Sequence, residues 1–413
     1  MLKIPVMQKR APFFLFIAFL FLCLFSCNGQ QTQSSSNIGQ SNLLQKRVGG
    51  NCEDCDIMYV GIPNISNHID TSAGWYEKGQ KLLVTGTVFQ LDGKTPAANI
   101  ILYYWQTDAS GYYTDAKGLS VKAKRHGHIR GWVKTNAAGE YAIYTNRPAA
   151  YPNDIFPAHI HLLVKEPDLP NEYYIDDLVF DDDELLIPFK KKYPLENRGG
   201  SGIVRVLLKG DVQVAEHDII LGLNIPDYPK KRNETVSSGL PVGYDQPSFL
   251  PYHAYGPDKG SRACPVCKYG RYHGIIFFVG NKPDWPEIKQ WLSFLEQESI
   301  KRKQYLKAYF VYGNENGYDR RKREKELEKI GSELQIKQMA LCFVPSFTDE
   351  ETEAHLNQIN PGVENTLIIY KHRRIIDKKI NLKPSVDNFL MVSEILDKTR
   401  GDYFGLQGLP HKE

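Results

Sequence analysis

The sequence predicts a multidomain chain in which an antiparallel β-sandwich is followed by an α/β domain. Its 413 residues are long for one domain and sufficient for two. From about residue 80 to residue 225, short apolar segments alternate with turn residues, which is typical of an antiparallel sandwich. After about residue 260, continuous apolar segments alternate with segments of helical spacing, which indicates an α/β fold.

The predicted sandwich domain comprises residues 48–229 and contains several short strands. Turn residues at 91–93 and 137–139 separate some of them, because Asp and Gly favour the backbone conformations of tight turns. The strands are predicted at 82–90, 99–106, 140–145, 159–164, 177–180 and 202–209. Residues 230–259, rich in Pro, Gly, Ser and Tyr, predict a linker that runs along the surface.

The predicted α/β domain comprises residues 260–413. Its strands are expected at 275–279, 307–312 and 339–344, followed by a hairpin of 366–370 and 374–378. Its helices are expected at 284–301, 321–333, 349–359 and 385–398. This succession of elements resembles a thioredoxin-like fold.

Two histidines and two tyrosines of the sandwich region have the types and settings needed to hold a ferric ion. Residues two apart in a strand project from the same face, so His159 and His161 point in the same direction. Tyr113 follows a turn-like segment, and Tyr151 lies in a loop stiffened by prolines on both sides. Two phenolates and two neutral imidazoles form a hard, anionic ligand set that favours Fe(III). A single tyrosine after a glycine is usually a packed aromatic side chain, and a single His-x-His pair usually belongs to a polar strand face. The four residues together, in this order, favour an iron site.

The segments around these residues resemble the intradiol ring-cleavage dioxygenases, the group of protocatechuate 3,4-dioxygenase and catechol 1,2-dioxygenase. The resemblance runs from about residue 82 to residue 206. Its motifs are Leu-Val-Thr-Gly-Thr-Val at 83–88, Tyr-Trp-Gln-Thr-Asp at 104–108, Gly-Tyr-Tyr at 111–113, the segment 130–141, Arg-Pro at 147–148 and the His-x-His strand.

The resemblance implies a role for each candidate ligand. It implies that Tyr113 and His161 are equatorial ligands of Fe(III), and that Tyr151 and His159 are the axial pair. It further implies that a catechol-type small molecule displaces Tyr151, which then serves as a catalytic base, and that O2 opens the ring to a muconate-type diacid.

The chain departs from the family pattern at two positions of the expected substrate pocket. Family members typically carry an arginine three residues before the first histidine ligand, where this chain has Phe156. Where many members place a glutamine in a later strand, this chain has Asp177. An apolar ring and a carboxylate thus replace a cation and an amide, which predicts a different substrate preference.

The N-terminus predicts export and a lipid anchor. Residues 1–26 combine a basic start with an apolar stretch of 13 residues at 13–25, shorter than the roughly 20 residues of a membrane-spanning helix. The following Cys27 resembles the lipidation site of a bacterial lipoprotein signal, and residues 27–47 read as a flexible tether. The expected location is the cell envelope, with membrane contact through the lipid. A formal net charge of +3, without a basic face bearing aromatic residues, does not suggest nucleic acid as a partner.

Two Cys-x-x-Cys pairs predict local disulfides in an exported protein. Cys52 and Cys55 lie ahead of the first predicted strand. The alternative is that the two pairs supply four thiolate ligands to a zinc ion. Cys264 and Cys267 precede a predicted strand instead of following one, which favours a structural pair over a thioredoxin-type redox centre.

Two alternatives to the dioxygenase stay open: a non-catalytic sandwich that binds ligands, and an envelope thiol-disulfide protein acting through the C-terminal domain.

Overall fold

Alternating apolar residues fold the first half of the chain into two sheets that face each other. The computed structural model describes residues 47–65, 67–230 and 236–400. The strands of this half are β1 (Ile69–Thr71), β2 (Lys81–Phe89), β3 (Ile101–Gln106), β4 (Arg130–Lys134), β5 (Glu140–Asn146), β6 (His159–Lys165), β7 (Tyr173–Tyr174), β8 (Leu178–Phe180), β9 (Ile203–Val204), β10 (Leu207–Lys209), β11 (Val212–Glu216) and β12 (Ile219–Ile220).

The two sheets are mixed and not purely antiparallel as expected. The first sheet has the order β1-β5-β2-β11-β10, with β12 also paired to β2, and the second has the order β4-β3-β6-β8-β9, with β7 paired to β6. The pairs β1–β5, β2–β11 and β8–β9 are parallel. The segment predicted as one strand at 202–209 divides into β9 and β10, which belong to different sheets. Between them lies buried Arg205, which pairs with Asp245 at 2.7 Å, so the chain leaves one sheet at this ion pair and enters the other.

The alternation of β3 and β6 decides which side chains face the core. Leu102 and Tyr104 of β3 pack between the sheets with Ile160 and Leu162 of β6. The residues between them face the opposite side of the second sheet, where Tyr103, Trp105 and Leu163 form a smaller cluster with Cys55 and Met58. His159 and His161 share the strand face of Leu163, because residues two apart lie on one face. The segment before β1 therefore packs on the same sheet face as the two histidines.

Where the structure describes it, the second half of the chain forms a six-stranded sheet with three long helices. Its strands are β13 (Tyr252–Tyr255), β14 (His273–Val279), β15 (Leu306–Tyr312), β16 (Ala340–Phe343), β17 (Thr366–Lys371) and β18 (Arg374–Ile380), in the order β13-β16-β15-β14-β17-β18. The α-helices in the described residues are α1 (Leu186–Lys192), α2 (Pro265–Tyr269), α3 (Trp285–Lys301), α4 (Arg320–Glu333) and α5 (Val386–Thr399). Strands β14, β15 and β16 are parallel, and β17 and β18 form an antiparallel hairpin. The succession of predicted strands and helices is largely observed, and the thioredoxin-like fold itself stays a prediction.

Two local expectations for this half differ from the structure. The helix predicted at 349–359 is a set of turns with a short 3-10 helix, Ala354–Asn357. Glu353 and Gln358 adopt left-handed backbone conformations on either side of it, which ends helical propagation. The predicted linker, where the structure describes it, contributes strand β13 and the buried side chains of Phe249 and Gln246.

The two halves are in direct contact. The residues that the structure describes all belong to one compact unit. Arg271 pairs with Asp181 at 3.0 Å, and Lys371 pairs with Glu216 at 2.6 Å. Arg374 donates to the carbonyl groups of Asp218 and Ser201.

No helix in the described ranges is long and apolar enough to cross a membrane. The predicted signal at 1–26, the lipidation site Cys27 and all but the last residue of the predicted tether lie outside the described residues.

Candidate metal centre

Strand β6 places two imidazoles side by side at its N-terminal end. His159 is 6% exposed and His161 is half-buried. Trp105 of β3 lies directly opposite His161 in the strand register, and the two rings stack with centroids 4.7 Å apart. The pleat of the strand and this stack together fix the direction of the His161 ring.

The outward hydrogen bonds of the two histidines set their tautomers. Nδ1 of His159 lies 2.7 Å from the carbonyl oxygen of Pro157, and Nδ1 of His161 lies 2.9 Å from Oδ1 of Asp177. A carbonyl and a carboxylate only accept, so each Nδ1 carries the proton and donates it. Burial lowers the pKa of His159, which keeps this ring neutral. Each Nε2 therefore carries a lone pair, and the two Nε2 atoms face each other at 3.1 Å.

Two loops bring the phenol groups to the same point. The hydroxyl oxygen of Tyr113 lies 2.9 Å from Nε2 of His161, and that of Tyr151 lies 3.1 Å from Nε2 of His159. The two hydroxyl oxygens are 2.6 Å apart. Four potential ligand atoms thus converge, with these separations between 2.6 and 3.1 Å.

The loops owe their shape to Asp108 and Gly111. The Asp108 carboxylate accepts from the backbone N–H of Ser110 at 2.8 Å and of Tyr112 at 3.2 Å. Gly111 has φ +86°, and a Cβ at this position would lie 2.2 Å from the carbonyl oxygen of Ala150. Only glycine allows this close approach, which places the loop of Tyr113 against the loop of Tyr151.

This arrangement fits a metal ion better than it fits protons alone. Two phenol protons can satisfy the two imidazole lone pairs, but both hydroxyl oxygens then face each other at 2.6 Å without a proton between them. A single cation held by these four atoms would satisfy all four groups at once. Burial raises the pKa of Tyr113 and of Tyr151, so a nearby cation is also what would stabilise their phenolate forms. The residues present therefore fit the Fe(III) that the sequence predicts.

Asp177 lies behind His161. It is adjacent to strand β8, and its carboxylate accepts the Nδ1 proton of His161. Burial raises the pKa of Asp177, but the field and hydrogen bond of His161 outweigh burial and lower it overall. A carboxylate in this position orients a ligand histidine and increases its basicity. The expected role of Asp177 in the substrate pocket stays a prediction, while the contact with His161 is what the structure shows.

A stack of aromatic rings supports the centre from the other side. Trp105 lies between His161 and His126, and its ring is 4.0 Å from the parallel ring of His126. Nδ1 of His126 lies 2.9 Å from the hydroxyl of Tyr103, and burial lowers the pKa of His126 to about 3. His126 is therefore a neutral, packed ring behind Trp105.

Phe156 lies beside Tyr151, with ring centroids 6.5 Å apart, and is 37% exposed. Arg130, a basic residue of the predicted motifs, makes its contacts elsewhere. The guanidinium of Arg130 donates to the hydroxyl of Tyr103 at 3.2 Å and to the carbonyl of Val60.

Both Cys-x-x-Cys pairs are joined in the structure, Cys52 to Cys55 and Cys264 to Cys267. The first pair packs in the aromatic cluster that includes Tyr113. In the second pair Cys264 caps helix α2 and is 9% exposed, whereas Cys267 is exposed. This pair precedes strand β14, and α3, the helix that follows β14, begins without a cysteine.

Sequence patterns did not predict the contacts that Trp105 and Asp177 make with His161. Trp105 is part of a quoted motif, but its stacking on His161 depends on the pairing of β3 with β6. The contact of Asp177 with His161 depends on the pairing of β6 with β8. Two sequence features could have indicated these contacts: the alternation of residues around His161 and the tryptophan in the neighbouring predicted strand.

Comparison with known proteins shows similarity in the region that contains the site. The family model described as Dioxygenase matches residues 62–192. Catechol 1,2-dioxygenase 1 of Acinetobacter lwoffii is 28% identical over 175 residues, which are 35% of this chain and 51% of that protein. The chain thus spans about half the length of the curated relative it matches. The matched residues 62–192 include all four converging side chains.

Solved structures of dioxygenases also match part of the chain. The dioxygenase domain of a dioxygenase carbohydrate-binding protein fusion from Streptomyces sp. SirexAA-E is 24% identical, with 38% of this chain and 90% of that chain covered and a TM-score of 0.29. The intradiol ring-cleavage dioxygenase from Tetranychus urticae is 19% identical, with 38% and 87% covered and a TM-score of 0.27.

Proposed function

We propose that the N-terminal half of this chain is a non-haem Fe(III) intradiol dioxygenase, which uses O2 to open a catechol-type ring to a muconate-type diacid. The observation that carries the proposal is the convergence of Tyr113, Tyr151, His159 and His161, with both imidazoles held in the ligand tautomer by outward hydrogen bonds. The Dioxygenase family match supports the same chemistry.

The bound Fe(III) would act as a Lewis acid that favours the ionised catechol and activates its ring. The chain's own residues set the conditions for this. Asp177 and the carbonyl of Pro157 hold the two imidazoles in position, and Trp105 excludes water from one side of His161. Tyr151 is half-exposed, and residues 152–156, which follow it in the loop, are exposed. Because a substrate can reach this loop, the hydroxyl oxygen of Tyr151 is the group placed to accept a substrate proton.

The direct test is oxygen uptake by iron-loaded protein with a panel of substituted catechols, with the products identified by mass. We expect one O2 consumed per ring opened and both oxygen atoms in the diacid. Tyr113→Phe should abolish uptake, since it removes one of the four ligands. Binding of catechols without oxygen uptake would instead favour the non-catalytic binding module.

The arrangement at the second cysteine pair does not favour the thiol-disulfide alternative. In a thioredoxin-type centre the first thiol is activated at the start of the helix that follows a strand. Cys264 does cap the short helix α2, but it is the buried member of the pair, and α2 lies ahead of β14, whereas α3 is the helix that follows this strand. We propose a structural role for this disulfide.

We also propose that the protein is exported and anchored in the cell envelope through a lipid on Cys27. The support is the sequence pattern of residues 1–27. Cys27→Ala should move the protein from the membrane fraction to the soluble fraction, because stable attachment depends on the acyl chains. Unchanged partitioning of this variant would disprove the anchor.

A further inference from the structure

Three aromatic side chains beside the candidate metal centre form a partly exposed cluster, the aromatic shelf: Phe156, Phe189 and Tyr193. The ring centroid of Phe156 lies 5.1 Å from that of Phe189 and 5.7 Å from that of Tyr193, and the last two are 5.3 Å apart. Phe156 is 37% and Tyr193 is 41% exposed, whereas Phe180 of the sandwich core is fully buried. The shelf therefore presents aromatic surface to solvent.

The shelf is fixed to the strand that carries the histidines. Asp183 accepts from the backbone N–H of Ala158 at 2.8 Å through one oxygen and from that of Leu185 at 2.9 Å through the other. It thereby ties the start of helix α1, which carries Phe189, to the segment just before His159. This contact keeps the shelf in place relative to the metal centre.

The shelf also contacts the candidate metal centre directly, through the ring of Tyr151. The centroids of Phe156 and Tyr151 are 6.5 Å apart, and the hydroxyl of Tyr151 is one of the four converging groups. A small molecule held by these groups would therefore have the shelf beside it. Phe156 and Phe189 carry no charge or hydrogen-bonding group, so this side of the site suits an apolar part of a ligand.

We propose that the aromatic shelf binds a second aromatic ring of the substrate, and that the preferred substrates are catechols with an aryl substituent. This inference rests on the proposed function. Aromatic rings contact each other in offset or edge-on arrangements with centroids about 4.5–7 Å apart, the spacing that the shelf rings already show. Such contacts favour an aryl group over a saturated group of similar size, because they add to the burial of apolar area.

The test compares 4-phenylcatechol with 4-cyclohexylcatechol, which bury similar apolar area. Dissociation constants are measured by titrating full-chain, iron-loaded protein without oxygen, so that binding is read without turnover. We expect 4-phenylcatechol to bind about fivefold more tightly. In Phe189→Leu and in Tyr193→Leu, which keep apolar bulk and remove one ring, the ratio of the two constants should fall toward one. Tyr76→Leu, at a tyrosine that is 79% exposed, is the matched control and should keep the ratio.

The outcomes separate the shelf from the ring-cleaving activity. Equal affinity for both ligands in the unmodified protein, or an aryl preference retained in both shelf variants, would overturn the shelf even if catechol is cleaved once oxygen is admitted. An aryl preference that both variants lose, without any ring cleavage after oxygen is admitted, would support the shelf as a binding site and overturn the dioxygenase proposal.

Discussion

Replacing Gly111 by alanine should separate the two loops that present the candidate tyrosine ligands. The new Cβ would lie 2.2 Å from the carbonyl oxygen of Ala150 and 3.0 Å from Cδ of Pro152. Carbon atoms pack at about 3.5–4.0 Å, so the loops would have to move apart by roughly 1 Å. Tyr113 lies two residues after Gly111, and Tyr151 directly follows Ala150. The movement would therefore lengthen the 2.6 Å distance between the two hydroxyl oxygens.

Gly118→Ala is the matched control for this substitution. Gly118 has φ +89° and Gly111 has φ +86°, but a Cβ at Gly118 meets nothing within 4 Å. Both variants should lose about 1–2 kcal/mol of unfolding free energy, because alanine in a left-handed conformation is strained. Gly111→Ala should lose about 1–3 kcal/mol more, the usual effect of overpacking.

The assay combines denaturant unfolding of metal-free protein with iron affinity measured against a competing chelator. Ligand groups tolerate displacements of only about 0.5 Å, so Gly111→Ala should weaken iron binding by about tenfold or more. Gly118→Ala should leave iron affinity unchanged. Equal iron affinity in the two variants would refute the argument that the contact between Gly111 and Ala150 positions the phenols.

Three further predictions concern residues near the centre and the second disulfide. Asp177→Ala should weaken iron binding by about 10–100-fold. Asp177→Asn should weaken it less, because asparagine can still accept the hydrogen bond from His161 but carries no charge. Equal iron affinity of the unmodified protein and both variants, measured against a competing chelator, would contradict this. Burial raises the pKa of Asp176 from 3.8 to about 6 although two backbone amides donate to it, so stability should fall as pH rises through this range. Unfolding of metal-free Asp176→Asn between pH 4 and pH 7 should lack that fall, and an unchanged pH profile would show that Asp176 does not cause it. Changing both Cys264 and Cys267 to serine should lower the unfolding midpoint while leaving catechol cleavage unchanged, whereas insulin reduction that is lost in this variant would revive the thiol-disulfide alternative.

The parts of the fold that the sequence predicts are those with strong local patterns. The alternation around His159 predicts strand β6 and the common direction of the two imidazoles, and both are observed. The helix expected at 349–359 is not formed, because two left-handed residues interrupt it. Apolar spacing carries no information on such backbone conformations.

The parts of the site that the sequence does not predict depend on contacts between distant residues. Asp177 and His161 are 16 residues apart and meet only through the pairing of β6 with β8. The aromatic shelf likewise needs Asp183 to hold helix α1 against the start of β6. Such contacts follow from strand register and loop path, which local residue patterns do not determine.

The central claim is that the four converging side chains hold Fe(III), and visible absorption with iron content tests it most directly. Purified protein supplied with iron should contain about one iron per chain and be reddish, because tyrosinate-to-Fe(III) charge transfer absorbs visible light. Tyr113→Phe should lose most of this absorption, since it removes one of the two phenolates that favour the ferric ion. A colourless, iron-free protein after iron supplementation would contradict the account.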